Sequence, residues 1–372
     1  MAQSTRRRSL SRPSPDGNPP RPGAQVGRRV LVGAFAADPL TAISEHLSIA
    51  PQPWPEGGPD DVVVAIESAS VGWVDLLMTS GLYQHLPAPP YVPGLESAGT
   101  VAWVGAAVES VAVGDRVIVD GFQVGPRSLG AYQAFGGFAT WALAPARAVI
   151  PIPGELTFDQ ASNLLGSYET AWHCLVARGR LQAGETVLIH GATGATGLAA
   201  VHIAKILGAT VIATGRSEAR LAVVAAEGAD HVLPSTGFRD AVRRLTGGRG
   251  ADVVYDGVGG NVSLESLRCV RFGARYLVVG WASTPFAKEA PNALPTNLIL
   301  MKGLDVLGAP MVIATVADPT LRAPRLAQVL EWAATGQIRP HVSHVFPLSE
   351  VAAAMRARWT GDVLGGCALR PG

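Results

Sequence analysis

From Val187 to Arg216 the chain reads V-L-I-H-G-A-T-G-A-T-G-L-A-A-V-H-I-A-K-I-L-G-A-T-V-I-A-T-G-R. An apolar, β-prone run, Val187-Leu188-Ile189, turns through small residues from Gly191 to Gly197. A long apolar helical segment follows, and then a second run, Thr210-Val211-Ile212-Ala213. Strand, loop, helix and strand in that order make a βαβ unit, and a βαβ unit commits the chain around it to a parallel sheet.

The loop is Ala192-Thr193-Gly194-Ala195-Thr196-Gly197, an A-x-G-x-x-G form of the dinucleotide fingerprint in which alanine stands for the first glycine. Gly194 lets the backbone approach a pyrophosphate, and Gly197 lets the helix pack tightly on the strand. Loop amides and the positive end of the helix dipole converge there, so the turn attracts an anion before any side chain is counted. A bare G-x-x-G also occurs in ordinary tight turns; the order of elements around this one argues for a dinucleotide. The end of the second strand then bears on which dinucleotide. An NAD site places an acidic residue about 20 residues past the loop to hold the ribose hydroxyls. Here the chain has Thr214-Gly215-Arg216-Ser217, followed by Arg220. A carboxylate there would repel a 2′-phosphate, whereas Arg216 can pair with one bidentately and Ser217 can donate to it. NADPH is the expected cofactor, with Arg216 and Arg220 as mere solvated helix-start residues the alternative.

At 372 residues the chain can hold two domains with substantial cores. Apolar residues at 48% and charged residues at 16% suit a globular α/β protein. A formal net charge of +1 conceals an asymmetry: residues 1 to 29 carry seven arginines (6, 7, 8, 12, 21, 28 and 29) against Asp16, which leaves the remainder acidic. A body without a basic surplus speaks against a nucleic-acid partner. Cys174, Cys269 and Cys367 are scattered and form neither a disulfide framework nor a C-x-x-C site, which points to a reducing cytoplasm. No uninterrupted apolar run is long enough for a transmembrane helix, so no membrane association is expected.

In chain order, residues 1–26 are rich in Arg, Pro, Ser and Gly and cannot offset their ordering entropy by burial, so a disordered tail is expected. Arg6-Arg7-Arg8 invites a targeting or polyanion-binding reading, but the apolar stretch of an export signal is missing. Residues 27–151 show short β-prone runs, Val62–Ile66, Ala98–Val104, Asp115–Val119, Phe138–Leu143 and Ala148–Ile150, broken by Gly, Pro and Asp; this spacing predicts a largely antiparallel β domain. Residues 152–302 alternate: helix Ala219–Glu227, strand His231–Leu233, helix Phe238–Thr246, strand Ala251–Tyr255, helix Val262–Val270, strand Arg275–Val279. This is the pattern of a doubly wound parallel sheet. Within residues 303–372, Gly303–Gly308 reads as an edge strand and Leu321–Thr335 as a helix, and His341–Leu369 is expected to return to the first domain. The Gly303–Gly308 edge holds neither Pro nor Lys to blunt it, so either it pairs with a second copy in a homodimer or residues 309–320 cover it.

Ser80-Gly81-Leu82-Tyr83, Pro93-Gly94-Leu95-Glu96-Ser97-Ala98-Gly99, Val113-Gly114-Asp115-Arg116-Val117, the loop from His190 to Gly197, Gly228-Ala229-Asp230-His231 and Asp252-Val253-Val254-Tyr255-Asp256-Gly257-Val258-Gly259-Gly260 together carry a resemblance. From residue 30 onward the chain resembles the quinone oxidoreductase branch of the zinc-independent medium-chain dehydrogenase/reductase superfamily. The resemblance implies a GroES-like β-rich catalytic domain built from both ends of the chain, a Rossmann domain between them, and a two-fold dimer. It also implies nicotinamide-cofactor contacts from Ser167, Thr170, residues 192–197, Arg216, Ser217, Arg220, Gly257, Val258 and Gly280.

No metal is expected. A catalytic zinc needs three Cys, His or carboxylate ligands, and zinc-dependent relatives carry Gly-His-Glu where this chain has Gly94-Leu95-Glu96. Apolar Leu95 cannot ligate, and Glu96 is left a structural role. Two departures bear on function: Gly72 and Leu77 flank Asp75 where the family often has Asn and Tyr, which bears on the quinone contacts, and Pro234 stands where many relatives have Tyr near the adenosine phosphate, a load left to Arg216.

Without a Lewis acid, hydride from NADPH needs a small-molecule acceptor that is already electrophilic: a quinone, an α,β-unsaturated ketone or an enoyl thioester. Trp73, Asp75, Tyr83, Tyr91 and Tyr168 are the candidate lining. Tyr83 and Tyr168 are either hydrogen-bond donors to a developing oxyanion or packing aromatics with a polar tip. His173 reads as a helix-face histidine rather than a base. The competing class is a non-enzymatic NADPH-binding sensor or structural protein, since fold does not fix function.

Overall fold

The computed structural model describes residues 26–124, 134–283 and 292–372. The expected tail therefore lies outside the described residues apart from Val26. The chain divides into two compact units. One holds the chain up to Ile152 with Phe346–Arg356 and Leu369–Gly372; the other holds Pro153–Val345 and Ala357–Ala368.

The first unit is antiparallel. Strand β1 (Gly27–Val32) pairs with β2 (Leu47–Gln52). The main sheet centres on β3 (Asp61–Ser70), which takes β4 (Ser97–Val104) on one side and β6 (Trp141–Pro145) on the other. Beyond β4 lie β5 (Arg116–Val119) and β7 (Val149–Pro151). Val62, Val63 and Val64 are fully buried in succession, because a strand covered on both faces has no solvent side on which to alternate. Phe138 was expected inside a strand, but its amide donates to the Pro93 carbonyl and its carbonyl accepts from Val30, so the β6 ladder starts only at Trp141. The helix Trp73–Thr79 opens where Asp75, its third residue, accepts from the Gly72 amide at 2.8 Å. The same carboxylate accepts from Leu95 at 3.2 Å and so ties the helix to the turn Pro93–Glu96.

The second unit is built on a parallel sheet ordered β10-β9-β8-β11-β12-β13. Its strands are β8 (Thr186–Ile189), β9 (Thr210–Gly215), β10 (His231–Pro234), β11 (Ala251–Asp256), β12 (Val270–Val278) and β13 (Asp305–Gly308). β8 and β11 are buried along their whole length, as continuous apolar runs in a two-faced sheet should be. The expected helix Val262–Val270 is shorter: it spans Asn261–Ser266, and Val270 already pairs with Ala251 as the first residue of β12. Phe272, Tyr276 and Val278, which follow, favour the strand once a neighbour is in place. The C-terminal stretch is divided: Phe346–Arg356 and Leu369–Gly372 fall in the first unit, whereas Ala357–Ala368 stays with the second, where the Gly365 amide donates to Thr193 at 2.9 Å and Gly365 bridges Gly194.

Candidate dinucleotide-binding site

The order of the parallel sheet reverses between β8 and β11, so the loops that leave these two strands flank a crevice at the carboxyl ends, where open α/β sheets bind ligands. His190 is the first residue past β8 and is buried. Its Nδ1 lies 2.8 Å from Thr214 Oγ1, its Nε2 lies 2.7 Å from Ser266 Oγ, and its ring packs on Phe238. Burial pushes its pKa down to about 4, against the opposing pull of Asp256 and Glu265. A neutral imidazole therefore links β8, β9 and the helix Asn261–Ser266 beneath the loop.

Gly191 turns the chain at φ +64°, a conformation that costs glycine nothing. The Ala192 amide donates to Thr214 at 3.2 Å and the Gly194 amide to Gly191 at 2.9 Å. Gly194 is the N-cap of the helix Ala195–Ile206. The amides of Ala195, Thr196 and Gly197 thus open the helix without an acceptor inside it, and the helix dipole adds positive potential at the same place. A Cβ on Gly197 would lie 2.2 Å from the Gly191 carbonyl oxygen, so only glycine lets the helix sit this close to the loop.

Past β11, the buried Asp256 carboxylate accepts from the amides of Val258 (2.8 Å) and Gly259 (2.9 Å), from Ser263 Oγ (2.5 Å) and from the Tyr276 hydroxyl. This folds Gly257 and Val258 into a tight turn. The Ser283 amide donates to the Val258 carbonyl at 2.9 Å, which carries Gly280 to the same place. A Cβ on Gly191 would come within 3.2 Å of Val258, and one on Gly280 within 3.3 Å of the Gly257 carbonyl, whereas one on Gly257 would meet no atom within 4 Å. The fingerprint loop, Gly257, Val258 and Gly280 therefore converge, and Gly257 leaves open space.

Where β9 ends, Gly215 is followed by Arg216 and by Ser217, the N-cap of the helix Glu218–Ala226. Arg216 Nη2 donates to the Thr360 carbonyl at 3.4 Å; Arg220 donates to the Gly361 carbonyl and pairs with Asp362 at 3.3 Å. The sequence reading did not find residues 360–362 as neighbours of this corner. The residues present fit a phosphorylated dinucleotide: free helix-start amides, open space at Gly257, and two guanidinium groups at the end of the second strand.

Ser167 and Thr170 lie on the helix Leu165–Trp172. Thr170 Oγ1 donates back to Gly166 at 2.6 Å. Ser167 lines a shallow concavity with Tyr168, Ala195, Leu198, His341 and Gly365. The buried Tyr168 hydroxyl lies 2.8 Å from His202 Nδ1, and its pKa is raised by burial and by the Glu227 charge. On the same helix, Glu169 is fully buried between Arg322 (2.7 Å) and Arg325 (2.9 Å). His173 stands in a wide helical turn, His173–Arg178, and its buried Nε2 has no hydrogen-bond partner among the described residues. Burial, then Arg325 and Arg178, push its pKa down to about 4.

Within the first unit, Asp75 and Tyr91 line a second, shallow concavity with Gly94 and Leu95. The buried Tyr91 hydroxyl has no partner among the described residues, and burial and Asp75 raise its pKa. Trp73 and Tyr83 are half-buried and line neither concavity; Tyr83 stands edge-on to His85 at 6.0 Å. Among the described residues no group of three His, Cys, Asp or Glu could hold a metal ion. None of the described helices is long and apolar enough to cross a membrane.

His202, Glu227 and His341 escaped the sequence reading. Only His202 left a trace there, as a polar residue within the apolar run of the fingerprint helix.

Residues 58–154 match the family described as alcohol dehydrogenase GroES-like domain, and residues 195–323 the family described as zinc-binding dehydrogenase. Over 315 residues the chain is 35% identical to a quinone oxidoreductase-like protein 2 homolog of Nematostella vectensis, covering 82% of each. A probable oxidoreductase from Mycobacterium abscessus superimposes with a TM-score of 0.78 at 31% identity, covering 94% of this chain and 100% of that one. A mycobacterial protein solved in complex with NADPH gives 0.76 at 26% identity, covering 93% and 100%. Two family matches in chain order, and a relative aligned along most of both lengths, show that the chain belongs to the quinone oxidoreductase branch of the zinc-independent medium-chain dehydrogenase/reductase superfamily.

Proposed function

We propose that the protein is an NADPH-dependent oxidoreductase that passes hydride to a conjugated electrophile, a quinone or an α,β-unsaturated carbonyl. The observation that carries this reading is the corner at the end of β9, where Gly215, Arg216 and Ser217 stand in place of an acidic residue and a second arginine, Arg220, lies alongside. Arg216 and Arg220 hold the 2′-phosphate, the amides of residues 195–197 receive the pyrophosphate, and Gly257, Val258 and Gly280 leave room for the rest of the dinucleotide. NADPH supplies the hydride when bound; the chain's own residues bind it, orient it and exclude water. The turn Pro93–Glu96 offers Leu95 where a ligand would be needed, so the acceptor must be activated by its own conjugation.

The relative's name supports a quinone as acceptor, and the mycobacterial complex supports NADPH. The test is NADPH oxidation followed at its absorbance maximum with a panel of quinones, enones and enoyl thioesters, beside a direct NADPH-binding titration. Turnover with quinones or enones is expected. Tight NADPH binding without turnover of any acceptor would instead favour a sensor.

Two finer assignments belong to this reading. The second unit ends its sheet at β13, whose strand partner among the described residues is β12 and which exposes Val306; Leu300, Met301 and Ile313 are exposed nearby in the chain. An edge of this kind suits pairing with a second copy in a homodimer. The three cysteines are free and buried, which suits a reducing cytoplasm.

A further inference from the structure

Four side chains far apart in sequence form one hydrogen-bonded line. The Tyr168 hydroxyl lies 2.8 Å from His202 Nδ1; His202 Nε2 lies 3.0 Å from Glu227 Oε2; Glu227 Oε1 lies 2.8 Å from His341 Nδ1. They come from the helix Leu165–Trp172, the fingerprint helix, the end of the helix Glu218–Ala226 and the segment before Val342. Tyr168 and His341 both line the concavity beside Ser167 and Ala195.

The chemistry of the groups fixes where the protons lie. A carboxylate only accepts, so His202 must donate through Nε2 and His341 through Nδ1. These two contacts, His202 first, hold Glu227 below the usual carboxylate range. In neutral His202 the bare Nδ1 then accepts the Tyr168 proton. In the imidazolium both nitrogens donate, the Tyr168 oxygen accepts, and the Tyr168 proton is released towards another acceptor. Protonation of His202 thus reverses the direction of the Tyr168 hydrogen bond, and Glu227 supplies the negative charge that stabilises the protonated form. The other charged pair on this helix, Lys205 with Asp230 at 2.8 Å, is satisfied by itself.

Resting on the oxidoreductase reading above, we infer that Tyr168 is the proton donor of the reaction, with His202 and Glu227 as the positioning residues that recharge it. Once hydride has reached the acceptor, its oxygen carries a negative charge. The Tyr168 O–H bond breaks as an O–H bond forms on that oxygen. The phenolate takes the Nδ1 proton of the His202 imidazolium, and neutral His202 keeps its Nε2 proton towards Glu227. The acceptor has then gained one hydride and one proton, and His202 regains its proton from solvent past Glu227 and His341, whose side chains are each more than a quarter exposed.

The first test needs no cofactor. Nitrogen-15 NMR of histidine-labelled protein should show neutral His202 as the Nε2–H tautomer, and Glu227→Gln should lower its titration midpoint by about one unit or more, the size of a lost charge partner at this distance. A midpoint unmoved by Glu227→Gln, or the Nδ1–H tautomer, would overturn the relay. The second test reads turnover. With the acceptor found active, kcat/KM should fall as pH rises through the His202 midpoint, Glu227→Gln should move that limb to lower pH, and Tyr168→Phe should abolish it with a loss of about 100-fold, the typical yield of general acid catalysis, while NADPH affinity is kept. Tyr168→Phe at full rate with its pH limb intact would refute the inference. A protein that turns over no acceptor would fail the oxidoreductase reading, and the NMR result would still decide the hydrogen-bond line.

Discussion

Gly197 lies so close to Gly191 that the smallest side chain would strike backbone: a Cβ at position 197 would meet the Gly191 carbonyl oxygen at 2.2 Å. Gly197→Val should therefore destabilise the protein by about 1–3 kcal/mol, as overpacking does, and weaken NADPH binding by displacing the loop. Gly257→Ala meets no atom within 4 Å, so it should keep the melting temperature and lower only the affinity for NADPH. Thermal denaturation beside a fluorescence titration separates the two effects. Equal loss of stability in both variants would contradict the assignment of Gly257 to open space.

Arg216 should set the cofactor preference. A bidentate arginine–phosphate contact is expected to favour NADPH over NADH at least tenfold in kcat/KM, which corresponds to about 1.4 kcal/mol. Arg216→Glu should reverse the order. Asp362→Asn, which removes an exposed ion pair with Arg220, should leave the melting temperature almost unchanged. Equal efficiency of the wild-type protein with both cofactors would remove the 2′-phosphate from this corner.

Acid should weaken the second unit through its buried histidines. Folded His190 refuses a proton until about pH 4, whereas the unfolded chain takes one up near 6.5. Between those values the unfolded state binds more protons, so the unfolding free energy falls as pH falls. His173, also pushed down to about 4, contributes with the same sign. Each group adds a slope of up to about 1.4 kcal/mol per pH unit within the window. Urea midpoints at pH 7, 5.5 and 4.5 should show a smaller pH dependence in His190→Gln than in wild type; parallel curves would mean that His190 charges while folded.

If the β13 edge pairs with a second copy, light scattering at micromolar concentration should give about twice the 38.5 kDa of one chain. Val306→Lys puts a charge on the exposed edge and should shift the mass towards the monomer without changing the melting of the chain itself. A wild-type mass of one chain would leave the edge unpaired.

The order of elements from Thr186 to Val278 was readable because it rests on local signals: continuous apolar runs for two-faced strands, glycines at the tight loop, and turn residues between; the helix Thr296–Lys302 beyond it was not read. The proposed cofactor corner rests on signals of the same local kind, since Gly194, Gly197 and Arg216 stand at fixed offsets from one strand. The extent of the helix Asn261–Ser266 was misjudged for the opposite reason. Val270 could join either element, and its parallel neighbour Ala251 decided. Thr360–Asp362, Gly365 and the line Tyr168–His202–Glu227–His341 had no sequence signature at all. Their partners lie from 25 to 172 positions away, and a hydrogen bond over such a separation exists only once the strands and helices have been packed. Fold class is thus written in short-range pattern and composition. Which tyrosine holds a histidine, and which carboxylate orients it, was decided by tertiary packing, because direction and partner of a buried polar group depend on what the rest of the chain brings within 3 Å.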